Sequence, residues 1–110
     1  LNNYPEKTCA IERLLRHPKL VAAALAGQKT QQRRDGVYAY PGEIFALAGK
    51  RFKITALERQ RLGDMSDADA VAEGYPDLQA YRDLILKMHP GMQWDDNHKV
   101  WVHHFEILEE

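Results

Sequence analysis

The chain has 110 residues, 45% hydrophobic and 28% charged, with a formal net charge of −1. That length makes one domain with a modest core. The near-neutral charge excludes a global basic field for duplex DNA, so any anion binding must come from a local cluster. The single cysteine, Cys9, excludes an intrachain disulfide and fits a reducing compartment. No apolar run approaches the roughly 18–20 residues that span a bilayer, so no membrane partner is expected. The first residues lack a basic-then-apolar signal, which makes the cytoplasm the expected location. The chain opens on Leu1, which leaves its native start open.

In chain order, the first stretch reads in two ways. Thr8 could cap a short helix carrying Cys9, Glu12 and Arg16, or Ile11, Leu14 and Leu15 could belong to a packed irregular arm; residues 1–11 are the candidate arm. Pro18 suits the first position of a helix, where its missing N–H is unsatisfied anyway. Lys19 to Ala26 follows with an apolar stripe of Leu20, Val21, Ala24 and Leu25, and Gly27 is its stop. Lys29 to Arg34 reads as a loop opening into a short strand. Val37-Tyr38-Ala39-Tyr40 alternates as a strand with its tyrosines on one face, between the turns Asp35-Gly36 and Pro41-Gly42. Ile44–Leu47 and Arg51–Leu57 are further strands, the second with Phe52, Ile54 and Ala56 on one side. Ser66 with Asp69 forms a capping box for a short helix ending near Gly74. Asp77 caps the next helix, with Leu78, Tyr81, Ile85 and Met88 at helical spacing, and His89-Pro90-Gly91 ends it. Lys99 to Leu108 is the closing strand. The expected fold class is α+β.

The segment from Gly27 to Arg34 is the chemical focus. After a helix stop it sets out Lys29, Gln31, Gln32, Arg33 and Arg34 with almost no apolar filler, as a site gripping a polar or anionic ligand would. The bland reading makes Lys29, Arg33 and Arg34 solvated strand-edge charges that blunt aggregation. The histidines give no metal site: His103 and His104 are strand neighbours pointing to opposite faces, and the other three lie in unrelated contexts. No cofactor is expected.

Gly27-x-Lys29-x-x-Gln32-x-Arg34 resembles the G-x-K-x-x-[E/T]-x-R signature of ASCH domains. Further pieces fall in matching order: Pro41-Gly42-Glu43-Ile44, the Phe52 strand, Leu62-Gly63-Asp64-Met65-Ser66, Ala70-x-x-Glu73-Gly74-Tyr75 and Val100-Trp101-Val102-His103-His104-Phe105. The resemblance covers roughly residues 12 to 108. It implies a PUA-like β-barrel of short, mostly antiparallel strands with flanking helices, and a cleft carrying the signature. It also implies an association with RNA, and in some members enzymatic activity: a small amidohydrolase acting on N4-acetylcytidine, or a ribonuclease. In the amidohydrolase group the working residues are a lysine, a threonine three positions later and a glutamate in the following helical region. Lys29 matches the lysine and Glu73 the glutamate, so these two are the candidate acid/base groups. Gln32 stands at the threonine position.

That departure shapes the functional expectation. A threonine hydroxyl attacks a carbonyl, whereas a carboxamide does not. Gln32 is left to donate to an oxyanion or to read a base edge. Thr30 is the nearest hydroxyl, and Lys29 would become a usable base if Arg33 or Arg34 lowered its pKa. For RNA, bases stack on aromatic rings while Arg and Lys hold phosphates. Arg33 and Arg34 precede Tyr38 and Tyr40, and Trp94 lies in a polar loop. The expected ligand contacts are thus Thr30, Gln32, Arg33, Arg34 and Tyr40. The expected partner is RNA or a modified nucleoside, with hydrolysis as the alternative to binding. Oligomeric state is not legible.

Overall fold

The structure, a computed structural model, describes residues 4–108, so the first three residues of the expected arm lie outside the described residues. Along the chain come a 3-10 turn (Ile11–Arg13), α1 (Pro18–Leu25), β1 (Gln31–Arg34), β2 (Ile44–Leu47) and β3 (Lys50–Arg61). A second 3-10 turn (Leu62–Asp64), α2 (Asp67–Glu73), α3 (Leu78–Met88) and β4 (Lys99–Ile107) complete it. The four strands form one antiparallel sheet in the order β1-β4-β3-β2, curled into half a barrel. The α+β class and the antiparallel, barrel-like sheet are as expected.

Local chemistry sets most boundaries. Pro18 opens α1, and the His17 ring accepts the Lys19 N–H at 3.2 Å as its N-cap. Gly27 follows with φ +78°, a conformation that other residues adopt only with strain. Ser66 and Asp69 form the complete capping box of α2, and the Asp77 carboxylate accepts the Ala80 N–H to open α3. Gly74 ends α2 at φ +106°, a left-handed conformation in which a side chain would be strained, although it would meet Leu20 and the Lys29 Cβ only at ordinary contact distances.

Three expectations are corrected. Thr8 caps no helix: its N–H bonds the Val37 carbonyl at 2.8 Å, and only the single 3-10 turn at Ile11–Arg13 forms nearby. Val37 to Tyr40 keeps its alternation, with Val37 and Ala39 buried and both tyrosines half-buried, but it joins no strand ladder. Its polar backbone groups are taken elsewhere: the Tyr38 N–H donates to the His103 ring at 3.1 Å and the Tyr40 N–H to the Glu43 carboxylate at 2.6 Å. β3 is longer than expected and breaks register between Ile54 and Ala56. That bulge turns Leu57 rather than Ala56 inward and bends the strand.

The main core fills the space between α1, the arm and the sheet. Leu14, Leu15 and Ala24 pack there on Phe45, Phe52, Ile54 and Phe105. The three phenylalanines meet at ring separations of 5.4 to 5.9 Å, one pair stacked and two edge-to-face. A second cluster gathers Met65, Ala70 and Tyr81, with Tyr75, Leu78, Ile85 and Trp94 against it. β1 runs between these two clusters.

Candidate functional site

β1 begins soon after the left-handed turn at Gly27, and its anchorage is backbone-made. The Thr30 N–H bonds the Ala72 carbonyl of α2 at 2.8 Å, and the Thr30 carbonyl accepts from Phe105 at 3.0 Å. This stitches the signature segment to α2 on one side and to β4 on the other, bringing Lys29 and Arg33 onto Glu73.

Lys29 is 1% exposed and Glu73 2%. The Lys29 ammonium donates to the Gln31 carbonyl at 2.6 Å, to the Glu73 carbonyl at 2.7 Å and to Glu73 Oε1 at 3.2 Å. Those are its three protons, all used. Burial pulls its pKa down, the Glu73 carboxylate works against that, and Arg33 and Arg34 add only minor lowering. The cause is therefore desolvation first, rather than the like charge expected from sequence.

Arg33 completes the cluster. Its Nη1 donates to Glu73 Oε2 at 2.9 Å and to Gln31 Oε1 at 2.8 Å, while Nε and Nη2 both reach Gln60 Oε1 at 3.0 and 2.8 Å. Asp69 lies 3.6 Å from Nη2 and accepts from Gln60, which ties the α2 capping box to the same network. Lys29 and Arg33 are thus interior charges, not solvated edge groups. Cutting one partner from such a cluster leaves an uncompensated charge, at a cost of about 3–5 kcal/mol.

A cleft of about 1070 Å³ opens beside this cluster, between β1, the start of α1, α3 and the Trp94 loop. Tyr38, Tyr75, Tyr81 and Trp94 contribute aromatic wall, with Tyr81 edge-on to both Tyr75 and Trp94. Arg16, Lys19, Arg33 and Arg34 bring four positive charges to the lining, against the carboxylates of Asp35 and Glu73. Arg16 and Lys19 are exposed and make no ion pair among the described residues. Arg34 donates from Nε and Nη2 to the Leu14 carbonyl and from Nη2 to that of Arg13, and its guanidinium lies over the Tyr38 ring at 5.2 Å.

The candidate residues divide accordingly. Gln32, Arg33, Arg34 and Glu73 line the cleft, and Lys29 sits behind Glu73 without reaching it. Thr30 is exposed and outside the lining. Tyr40 is also outside it: its hydroxyl bonds the Pro5 carbonyl at 2.8 Å and its ring stacks on Tyr4. Gln32 is 8% exposed, its NH₂ reaches the Arg33 carbonyl only at 3.4 Å, and its Oε1 is buried with no hydrogen-bond partner among the described residues.

Sequence reasoning missed Arg16, Lys19 and the supporting Gln60 and His103. His103 is fully buried: its Nε2 accepts the Tyr38 N–H, which leaves Nδ1 to donate to the Gln32 carbonyl at 3.2 Å. It therefore ties the cleft-side loop to β1 as a neutral ring, and burial depresses its pKa to about 4. The Val/Phe-rich strand around it was the available signal for burial. Trp101 is half-buried and lies under the Arg59 guanidinium at 5.1 Å, while Val100 and Val102 point to the core. Among the described residues no cluster of His, Cys, Asp and Glu could hold a metal ion, and no helix is long and apolar enough to cross a membrane.

No family model matches the sequence, and no curated protein matches it. Solved structures do resemble it. An ASCH domain from Lactobacillus crispatus JV V101 superposes with a TM-score of 0.62 at 14% identity, over 90% of this chain and 78% of that one. A DUF984 family-model protein from Enterococcus faecalis V583 superposes with a TM-score of 0.58 at 16% identity, over 82% and 67%. The chain has an ASCH-like fold, in accord with the resemblance in its signature segment.

Proposed function

We propose that the cleft binds a nucleoside unit, free or within single-stranded RNA, and that the protein acts as a binding module. The observation that carries this reading is the lining itself: four aromatic rings and a set of basic side chains share one concave surface. Flat rings take the faces of unpaired bases, and Arg16, Lys19 and Arg34 suit phosphate at the rim. With a net charge of −1, affinity rests on this local set, so it is expected to be salt-dependent and modest.

The hydrolytic alternative draws on the buried Lys29–Glu73 contact and the lowered Lys29 pKa. It is the weaker reading. Both Glu73 oxygens are held by cations, Lys29 has no free proton, and among the described residues no Ser, Thr or Cys lines the cleft. Turnover would need water as nucleophile and a rearranged Glu73.

Fluorescence anisotropy with labelled single-stranded RNA oligomers tests the binding reading. Lys19→Ala and Arg34→Ala should each weaken binding across sequences and reduce the salt slope by about one. Unchanged binding in both variants would refute it. Product released from N4-acetylcytidine or from the oligomers, above a no-protein control, would establish the hydrolytic alternative instead.

A further inference from the structure

Resting on the nucleoside reading above, we infer that Gln32 is the group that identifies the ligand, by accepting a hydrogen bond from an N–H on the edge of the bound base. The buried charged side chains on either side of it, Lys29 and Arg33, are already engaged. Lys29 spends its three protons on Gln31 and Glu73, and Arg33 spends four of its five donors on Gln31, Gln60 and Glu73, with Asp69 3.6 Å from Nη2. Gln32 alone among them keeps an empty acceptor, Oε1, in a side chain that is more than nine-tenths buried and lines the cleft.

The orientation of its carboxamide follows from its neighbour. Turning the amide over would set its oxygen against the Arg33 carbonyl oxygen, where the NH₂ now donates at 3.4 Å. The oxygen must therefore face away from that carbonyl. Oε1 is buried in the free protein, but the 3.4 Å bond is weak and the last torsion of a glutamine is soft, so the amide is free to turn when a ligand occupies the cleft. A buried acceptor left empty is unfavourable, and a ligand that fills it gains what one that cannot forfeits. Nucleobases offer such a donor next to an acceptor: the imino N–H of uracil or guanine, or the exocyclic amine of cytosine or adenine. Glutamine reads such edges with both ends of its amide. The chemical class of the ligand is thus a base whose edge N–H is intact, and full N-methylation of that edge is the modification the cleft rejects.

The test pairs each base with its blocked form. Uridine, cytidine, adenosine and guanosine 5′-monophosphates are titrated by calorimetry beside their N3-methyl, N4,N4-dimethyl, N6,N6-dimethyl and N1,N2,N2-trimethyl derivatives. For at least one pair, the wild-type protein should bind the intact base about tenfold or more tightly than the blocked base. In Gln32→Met, similar in length and without the acceptor, that preference should vanish, with folding checked by circular dichroism. Equal binding within every pair overturns this inference and leaves the nucleoside reading standing, as does a preference that survives in Gln32→Met. If none of the eight compounds binds the wild-type protein, the nucleoside reading fails and this inference fails with it.

Discussion

The Lys29 ammonium and the Glu73 carboxylate lie 3.2 Å apart with 0% and 2% of their side chains exposed. Arg33 closes on the other carboxylate oxygen at 2.9 Å, so one buried anion holds two buried cations. These are the residues a sequence reader would assign to chemistry, yet their geometry is that of a joint between α2 and β1. The cleft's adaptable groups lie beside the joint, at Gln32, Arg34, Arg16 and Lys19.

Removing the anion should therefore unfold before it inactivates. Glu73→Ala is expected to cost about 3–5 kcal/mol in urea denaturation, because Lys29 and Arg33 would be left buried without a counter-charge. Lys29→Met in that background should recover part of the loss. A Glu73→Ala cost below about 1 kcal/mol would mean that the joint is solvated in solution.

Gln32→Met should move stability the other way. Replacing a side chain whose acceptor is buried and empty by an apolar one of similar length is expected to stabilise the free protein, by about 1 kcal/mol in thermal or urea melts. The same change should weaken nucleotide binding. Opposed signs for stability and binding mark a group kept for its ligand.

His103 gives the fold a pH dependence whose sign is fixed. Its folded pKa is about 4 against 6.5 for the free side chain. Between those values the unfolded chain takes up the proton and the native chain does not, so stability falls as pH drops from about 6.5 to about 4. This group's share of the loss approaches about 3 kcal/mol and grows no further below that window. Urea midpoints across the range should slope less steeply in His103→Gln; identical slopes would remove His103 as the cause.

Arg34 is a tie as well as a rim charge. Its guanidinium donates to the carbonyls of Arg13 and Leu14 and holds the arm on β1. Arg34→Ala should cost about 1.5–3 kcal/mol and speed proteolysis within residues 4–16. Arg34→Lys should recover little, because an ammonium lacks the planar fork that spans both carbonyls. Equal protease resistance in Arg34→Ala would show that core packing of Leu14 and Leu15 alone secures the arm.

Much of the fold was legible where local chemistry decides it. Pro18, the Ser66–Asp69 box, Asp77 and Gly27 each act within a turn of themselves, and each marks the boundary it should. Val37–Tyr40 was not legible as a non-strand, because alternation records which side chains are buried and not whether a ladder partner exists. The bulge after Ile54 likewise depends on how β3 meets β4. For the candidate site, the segment 27–34 supplies Gln32, Arg33 and Arg34 to the cleft lining, but what each side chain bonds to did not follow from it. Arg33's partners Gln60 and Glu73 are remote in sequence, so only the fold could show it saturated. Arg16 and Lys19 reach the cleft because α1 starts beside it, a fact of packing with no local signature.

The most direct test of the cleft as a nucleoside site is chemical-shift mapping of the ¹⁵N-labelled protein titrated with the four nucleoside 5′-monophosphates. Saturable shifts should gather at the Gln32 side-chain amide, the Trp94 indole N–H and the backbone of Tyr38 and Tyr75, with β2 unmoved. Shifts that stay absent to millimolar ligand, or that gather on β2 away from the cleft, would contradict the account.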